Sequence, residues 1–169
     1  MYSPFSASAP NLKIIRTRWF RANFKLTDGK ATYGELVYPY FFSKKAVVKT
    51  ASASWVFRQK FFSRTISITD ENSLNVGELR MKWFGRSAKL HLKNGPVFSF
   101  TRPWFFIRQY FWLDNQQEQI ASLKPHFFSR TIDVSFGKNL QSDTLPLLLV
   151  FLGTHLIVLK RRRRAAAAH

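Results

Sequence analysis

The chain has no cysteine, which excludes disulfides, thiolate nucleophiles and cysteine-based zinc sites together. Acidic residues are almost as scarce, 9 Asp and Glu against 27 Lys and Arg, for a formal net charge of +18. Few carboxylates leave few general acid/base pairs. Of the nine, Asp28, Asp70 and Asp114 recur as turn residues, Glu35 and Glu78 recur beside a glycine, and Asp143 is a helix-cap candidate. His91, His126 and His155 lie far apart with no metal-ligand spacing. No GxSxG, P-loop or GxGxxG peptide occurs. The expectation is a non-enzymatic protein with no cofactor and no metal. The N-terminus, MYSPFSASAP, lacks the charged and apolar regions of a secretory signal and reads as a flexible leader over residues 1–10. Residues 165–169, AAAAH, read as a linker and the first histidine of a purification tag. That leaves one domain over residues 11–164.

Aromatic and cationic residues are abundant. Hydrophobic residues make up 46% of the chain and Phe occurs 18 times, so a sizeable core is available. The positive excess repels itself and attracts polyanions, which makes an anionic membrane surface, phosphorylated ligands and nucleic acid the natural partners.

A period of about 43 residues organises the chain. LTDGKATYGEL (26–36) aligns with ITDENSLNVGEL (68–79) and more weakly with WLDNQQEQIASL (112–123). Phe41, Phe84 and Phe127 fall 43 residues apart, and Phe20, Phe62 and Phe106 each sit eight residues before the turn aspartate. Recurrence of the same roles three times marks a supersecondary unit. The hexapeptide FFSRTI, at 61–66 and again at 127–132, marks two similar strand entries instead. Phe24 and Leu26 alternate with Lys25 and Thr27, and Ile66 and Ile68 with Ser67 and Thr69, the period of two that buries one face of a strand. Aspartate turns and Asn94-Gly95 separate such runs, giving four strands per unit and about twelve in all. Arg64 and Arg108 fall on the nominally inward face, where each needs a partner or a bulge that turns it outward.

From Leu145 to Leu159 the chain reads LPLLLVFLGTHLIVL, apolar on every side, then Lys160 and Arg161 to Arg164. Ser142, Asp143 and Thr144 offer N-caps, which places a helix at about 144–162. A helix apolar all round is buried in protein or in lipid. Fifteen residues rise only about 22 Å against roughly 30 Å of hydrocarbon, which disfavours a tail anchor. The expected fold is therefore all-β with one buried helix: a closed antiparallel barrel of about twelve strands, in three four-strand repeats, around the hydrophobic C-terminal helix. A β-trefoil is the alternative, but it has no place for the helix.

The recurring strand–aspartate-turn–strand units and the apolar helix at 146–159 resemble the tubby C-terminal-like superfamily, which includes tubby proteins, phospholipid scramblases and plant LURP-one-related proteins. The chain looks like a small bacterial or LURP-like member. The resemblance implies a twelve-stranded barrel threaded by its C-terminal helix, and binding of phosphoinositide head groups through basic side chains.

Lys44, Lys45, Arg58, Lys60, Arg80, Lys82, Arg86 and Lys89 crowd into the second repeat and its borders and are the candidate ligand-binding residues. Tyr38, Tyr40, Trp55 and Trp83 stand near them as candidates for a lipid interface or for stacking on bases. The expected function is a non-enzymatic module, a cytoplasmic monomer peripheral at the inner membrane surface, that binds anionic lipid head groups or phosphorylated ligands through a basic barrel surface. Nucleic-acid binding and tail anchoring in a membrane are the alternatives.

Overall fold

Apolar residues at every second position, broken by aspartate and glycine turns, form twelve strands in the computed structural model. It describes residues 1–6, 9, 11–17, 22–40, 43–60, 63–82, 87–103, 108–126, 130–137 and 144–168. The strands are β1 (Lys13–Arg16), β2 (Phe24–Thr27), β3 (Thr32–Val37), β4 (Lys45–Thr50), β5 (Ser54–Gln59) and β6 (Thr65–Asp70). They continue as β7 (Asn75–Met81), β8 (Ser87–Leu92), β9 (Val97–Thr101), β10 (Tyr110–Leu113), β11 (Gln119–Pro125) and β12 (Thr131–Phe136). Each pairs antiparallel with its sequence neighbour, and β1 closes on β12 through Ile14 opposite Ile132. Closure leaves no sheet edge. One helix follows, α1 (Thr144–Ala167). The closed twelve-stranded barrel around a C-terminal helix is the expected fold, and the trefoil alternative is excluded.

The 43-residue period is a bulged hairpin used three times. β2–β3, β6–β7 and β10–β11 each shift register at the residue just before the turn aspartate: Thr27, Thr69 and Leu113. In each turn one carboxylate oxygen accepts two backbone N–H groups: Asp28 from Lys30 and Ala31, Asp70 from Asn72 and Leu74, Asp114 from Gln116 and Glu118. These are Asx turns. Two main-chain donors per turn are thereby satisfied by one short side chain. The Tyr33 hydroxyl also donates to Asp28, and the three donors hold that carboxyl down at about 2. Asn94-Gly95 joins β8 to β9, as its composition predicts. The two FFSRTI copies enter β6 and β12.

Inward-facing strand residues and the helix form one buried cluster. Leu26, Phe57, Ile68, Leu79, Trp112 and Leu123 are fully buried, and every helix residue from Pro146 to Leu159 is buried. The helix is long and apolar enough to cross a membrane, but 78% of its most apolar stretch is buried inside the barrel. Its apolar sides are thus covered by protein. Close approach needs small residues: a Cβ on Gly153 would lie 2.9 Å from Trp112 Nε1, and one on Gly34 would lie 3.0 Å from Phe151.

The two polar residues in the buried stretch are both bonded. Thr154 donates to the Val150 carbonyl at 2.8 Å, and His155 Nδ1 lies 2.6 Å from the Tyr38 hydroxyl. His155 is fully buried, and burial pushes its pKa down to about 3, so the ring is neutral. The neutral ring and the Tyr38 hydroxyl thus share one hydrogen bond, whose donor is set by the tautomer of the ring.

Three boundaries differ from the sequence reading. The helix runs to Ala167, because four arginines followed by alanines are strong helix formers and the cations suit a helix C-terminus. At the other terminus Phe5 is buried edge-on against Tyr33 and Phe136, and the Ser3 N–H bonds to Thr32, so residues 3–5 lie on the barrel rather than forming a loose leader. Arg64 and Arg108 precede β6 and β10 instead of lying within them, so no bulge is needed to turn them outward. The markers Phe20, Phe41, Phe62, Phe84, Phe106 and Phe127, like Trp83, Arg86, Ser142 and Asp143, lie outside the described residues.

Candidate anion-binding site

An antiparallel barrel sorts its connections by end. Segments leading from odd to even strands share the end where the helix C-terminus leaves. Those leading from even to odd strands share the end where the helix begins. Charge is sorted the same way. Asp28, Asp70, Glu71, Asp114 and Glu118 all sit in or beside the even-to-odd turns. At the opposite end a cavity of about 520 Å³ lies between the last buried turn of the helix and the wall formed by β9 to β12 and β1. Its lining holds Arg16, Arg102, Arg108, Arg130, Lys160, Arg161 and Arg164, together with Tyr110, Pro125, His126 and Ile157, and among the described residues no carboxylate.

The cations come from several elements. Arg16 ends β1; Arg102 and Arg108 flank the segment between β9 and β10; Arg130 precedes β12; Lys160, Arg161 and Arg164 share one face of the last helical turns. Tyr110 anchors the floor. Its ring stacks on Phe100 with centroids 5.2 Å apart, and Lys160 Nζ and the Arg102 guanidinium lie 5.5 and 5.9 Å from its centre. Cations over an aromatic face are attracted to its quadrupole. Arg161 donates to the His126 carbonyl at 3.5 Å. Next to the cavity, Arg162 lies 4.4 Å over the Tyr38 ring and donates to the Ser43 carbonyl at 3.1 Å. His126 Nε2 meets Asp133 at 2.6 Å, so the nearest carboxylate is engaged on the strand wall, where Lys13 and Lys124 flank it across β1 and β11.

Like charges at such spacing interact unfavourably. Partial burial first, and then the charges of Arg130 and Arg161, lower the pKa of Arg16 from its ordinary value. Burial lowers that of Arg162 as well. All these guanidiniums remain charged at neutral pH, because arginine starts so high. A multivalent anion in the cavity would relieve this repulsion and accept charge-assisted hydrogen bonds from several guanidiniums together. The volume lies within the range of small-ligand pockets.

The cations singled out from the sequence lie elsewhere. Lys45 and Arg58 face each other across β4 and β5, and Arg80 and Lys89 across β7 and β8, all four exposed on the outer wall. Glu78 sits among them, 3.2 Å from Arg80 and 3.8 Å from Lys60. Lys44 and Lys82 are exposed beside β4 and β7 at the helix C-terminal end, and Arg86 is outside the described residues. The structure pairs Lys45 with Arg58 and Arg80 with Lys89 along the outer wall, and none of the seven described candidates lines the cavity. Of the aromatic candidates, Tyr38 and Trp55 are core residues, whereas Tyr40 is 78% exposed. The signal for the mouth was present in the alternation itself: Arg16, Arg102, Arg108 and Arg130 all flank odd-to-even connections.

Among the described residues no group of three or more His, Asp or Glu could hold a metal ion. The fold and site thus define a closed twelve-stranded barrel, cored by its own helix, with a basic mouth. No family model, curated protein or solved structure matches the chain.

Proposed function

We propose that the protein is a non-enzymatic binding module that takes phosphate-bearing ligands, anionic lipid head groups or phosphorylated molecules, into the basic mouth of the barrel. The observation that carries this reading is the cavity itself, with six arginines, one lysine and no carboxylate among the described residues of its lining. Arginine forks match phosphate oxygens in geometry and charge. The resemblance to the tubby C-terminal-like superfamily supports the same reading, since a barrel around a C-terminal helix is the fold it implies.

Pyrophosphate titration, followed by thermal shift and calorimetry at matched ionic strength, tests the proposal. The expected result is saturable stabilisation by pyrophosphate beyond that given by chloride. Replacing Arg108 and Arg130 by alanine should weaken binding about ten-fold or more, since charge-assisted hydrogen bonds to each are lost. An equal response of the parent protein and the double variant would refute it. The outer-wall variant Arg80→Ala should bind as the parent does.

A further inference from the structure

The cations of the mouth stand in a row. Barrel order places β9, β10, β11, β12 and β1 side by side. Arg102 follows β9, Arg108 precedes β10, Arg130 precedes β12 and Arg16 ends β1, so four guanidiniums follow the rim in that order. Neighbouring strands lie about 4.8 Å apart, so the rim from β9 to β1 runs about 19 Å. The helix lays its own cations along this row. Lys160 shares the Tyr110 ring with Arg102 at the β9 end, 5.5 and 5.9 Å from its centre. Arg161 lies farther along, bonded to the His126 carbonyl past the end of β11 and close enough for its charge to act on Arg16.

A row of donors fits a linear anion. A single phosphate spans only part of it. A chain of linked phosphates presents oxygens at regular intervals, and each phosphate can accept charge-assisted bonds from the rim on one side and the helix on the other. The cavity, about 520 Å³, has room for such a chain. Ile157 and Pro125 add an apolar patch to its lining, on which a base attached to one end of the chain could rest.

The composition of the mouth also selects the form of the ligand. Linked phosphates chelate magnesium in water, and sites built for the chelate give the metal carboxylate or hydroxyl ligands. The described lining has no carboxylate, and no hydroxyl other than that of Tyr110. The neighbouring stretches 18–21, 104–107 and 127–129 read RWFR, WFFI and FFS, again without Asp or Glu. Asp133, the nearest carboxylate, meets His126 at 2.6 Å on the strand wall. A divalent cation carried in with the anion would face six arginines and a lysine, all of its own sign.

We propose that the mouth binds a linear chain of three or more linked phosphates as the free anion, without magnesium. The inference rests on the reading of the mouth as a phosphate site, and the experiment separates the two. The full chain is titrated by calorimetry with phosphate, pyrophosphate, tripolyphosphate and ATP at matched ionic strength, in EDTA and again in excess magnesium. Affinity should rise about ten-fold from pyrophosphate to tripolyphosphate, because the added phosphate accepts further guanidinium bonds. Excess magnesium should lower tripolyphosphate affinity about ten-fold or more. Both results together support the proposal; ATP binding more tightly than tripolyphosphate then identifies a nucleotide as the source of the chain, and equal or weaker binding an inorganic one. Arg102→Ala should cost about ten-fold in tripolyphosphate affinity and less for pyrophosphate, since only the longer chain extends to the β9 end. Pyrophosphate binding with no gain for tripolyphosphate, or an affinity that magnesium leaves unchanged or raises, overturns the inference and leaves the phosphate site standing. No response to any of the four ligands overturns both. The ligand series needs no substitution, so it decides the matter even if the variant does not fold.

Discussion

His155 sets the most direct test of the interior. Its imidazole sits inside the helix core, stacked near Tyr38 and Phe57, with Nδ1 2.6 Å from the Tyr38 hydroxyl and Nε2 without a hydrogen-bond partner among the described residues. Desolvation, and then the Arg162 charge, lower its pKa from 6.5 to about 3. The sign follows directly. The unfolded chain takes up a proton as pH falls through 6.5, the folded chain resists until about 3, and stability is lost across that window. Above 6.5 the ring is neutral in both states and the native packing is at full strength. Each pH unit inside the window removes about 1.4 kcal/mol, so lowering pH from 7.5 to 5 should cost about 2 kcal/mol. That is a large share of the few kcal/mol by which domains are usually stable. With a urea slope of about 2 kcal/mol/M the midpoint should fall by about 1 M.

The control removes the pair together, His155→Leu with Tyr38→Phe, so that no hydroxyl is left without its partner. This variant should retain the rest of the pH dependence but lose the extra 2 kcal/mol, within about 0.5 kcal/mol. Urea titrations followed by circular dichroism at several pH values give the comparison. Identical pH slopes for parent and variant would show that His155 does not titrate on unfolding in this window, and the account of the buried neutral ring would fail.

Two further predictions concern the fold. Gly153→Ala places a methyl 2.9 Å from Trp112 Nε1, 3.1 Å from Phe100 and 3.2 Å from Leu123. Overpacking of about 1–3 kcal/mol should then outweigh the roughly 1 kcal/mol of helix propensity gained; a variant that melts above the parent would contradict the close approach. Asp70→Ala frees the two backbone donors of Asn72 and Leu74 and should lower stability by about 1–2 kcal/mol in chemical denaturation. Asp114→Ala should lose a similar amount, because the same turn is built in the third repeat.

Local pattern was enough for the strands and the helix. A period of two at Ile66 and Ile68, an Asx turn at Asp70 and an all-apolar run from Leu147 to Leu152 each carry their meaning within a few residues. Backbone geometry responds to nearest neighbours there. The third-repeat sequence WLDNQQEQIASL diverges in side chains yet keeps the bulge and the carboxylate turn, so the repeat survives in hydrogen bonding more fully than in identity. Residue-level pairing inside the core was not legible. Tyr38 and His155 are 117 residues apart, and only the seating of the helix brings them to 2.6 Å.

By itself the sequence determined that there would be three repeated units, a covered helix and a large positive charge. Where that charge gathers was decided by tertiary structure. Density along the chain drew attention to the second repeat, but neighbours in sequence spread along the outer wall of a barrel. Residues far apart, Arg16 and Arg130 among them, meet because β1 closes on β12. The helix then delivers Lys160, Arg161 and Arg164 to the same end. Closure and threading are global constraints, fixed by how all twelve strands and the helix fill one interior, and no local window of the chain contains them.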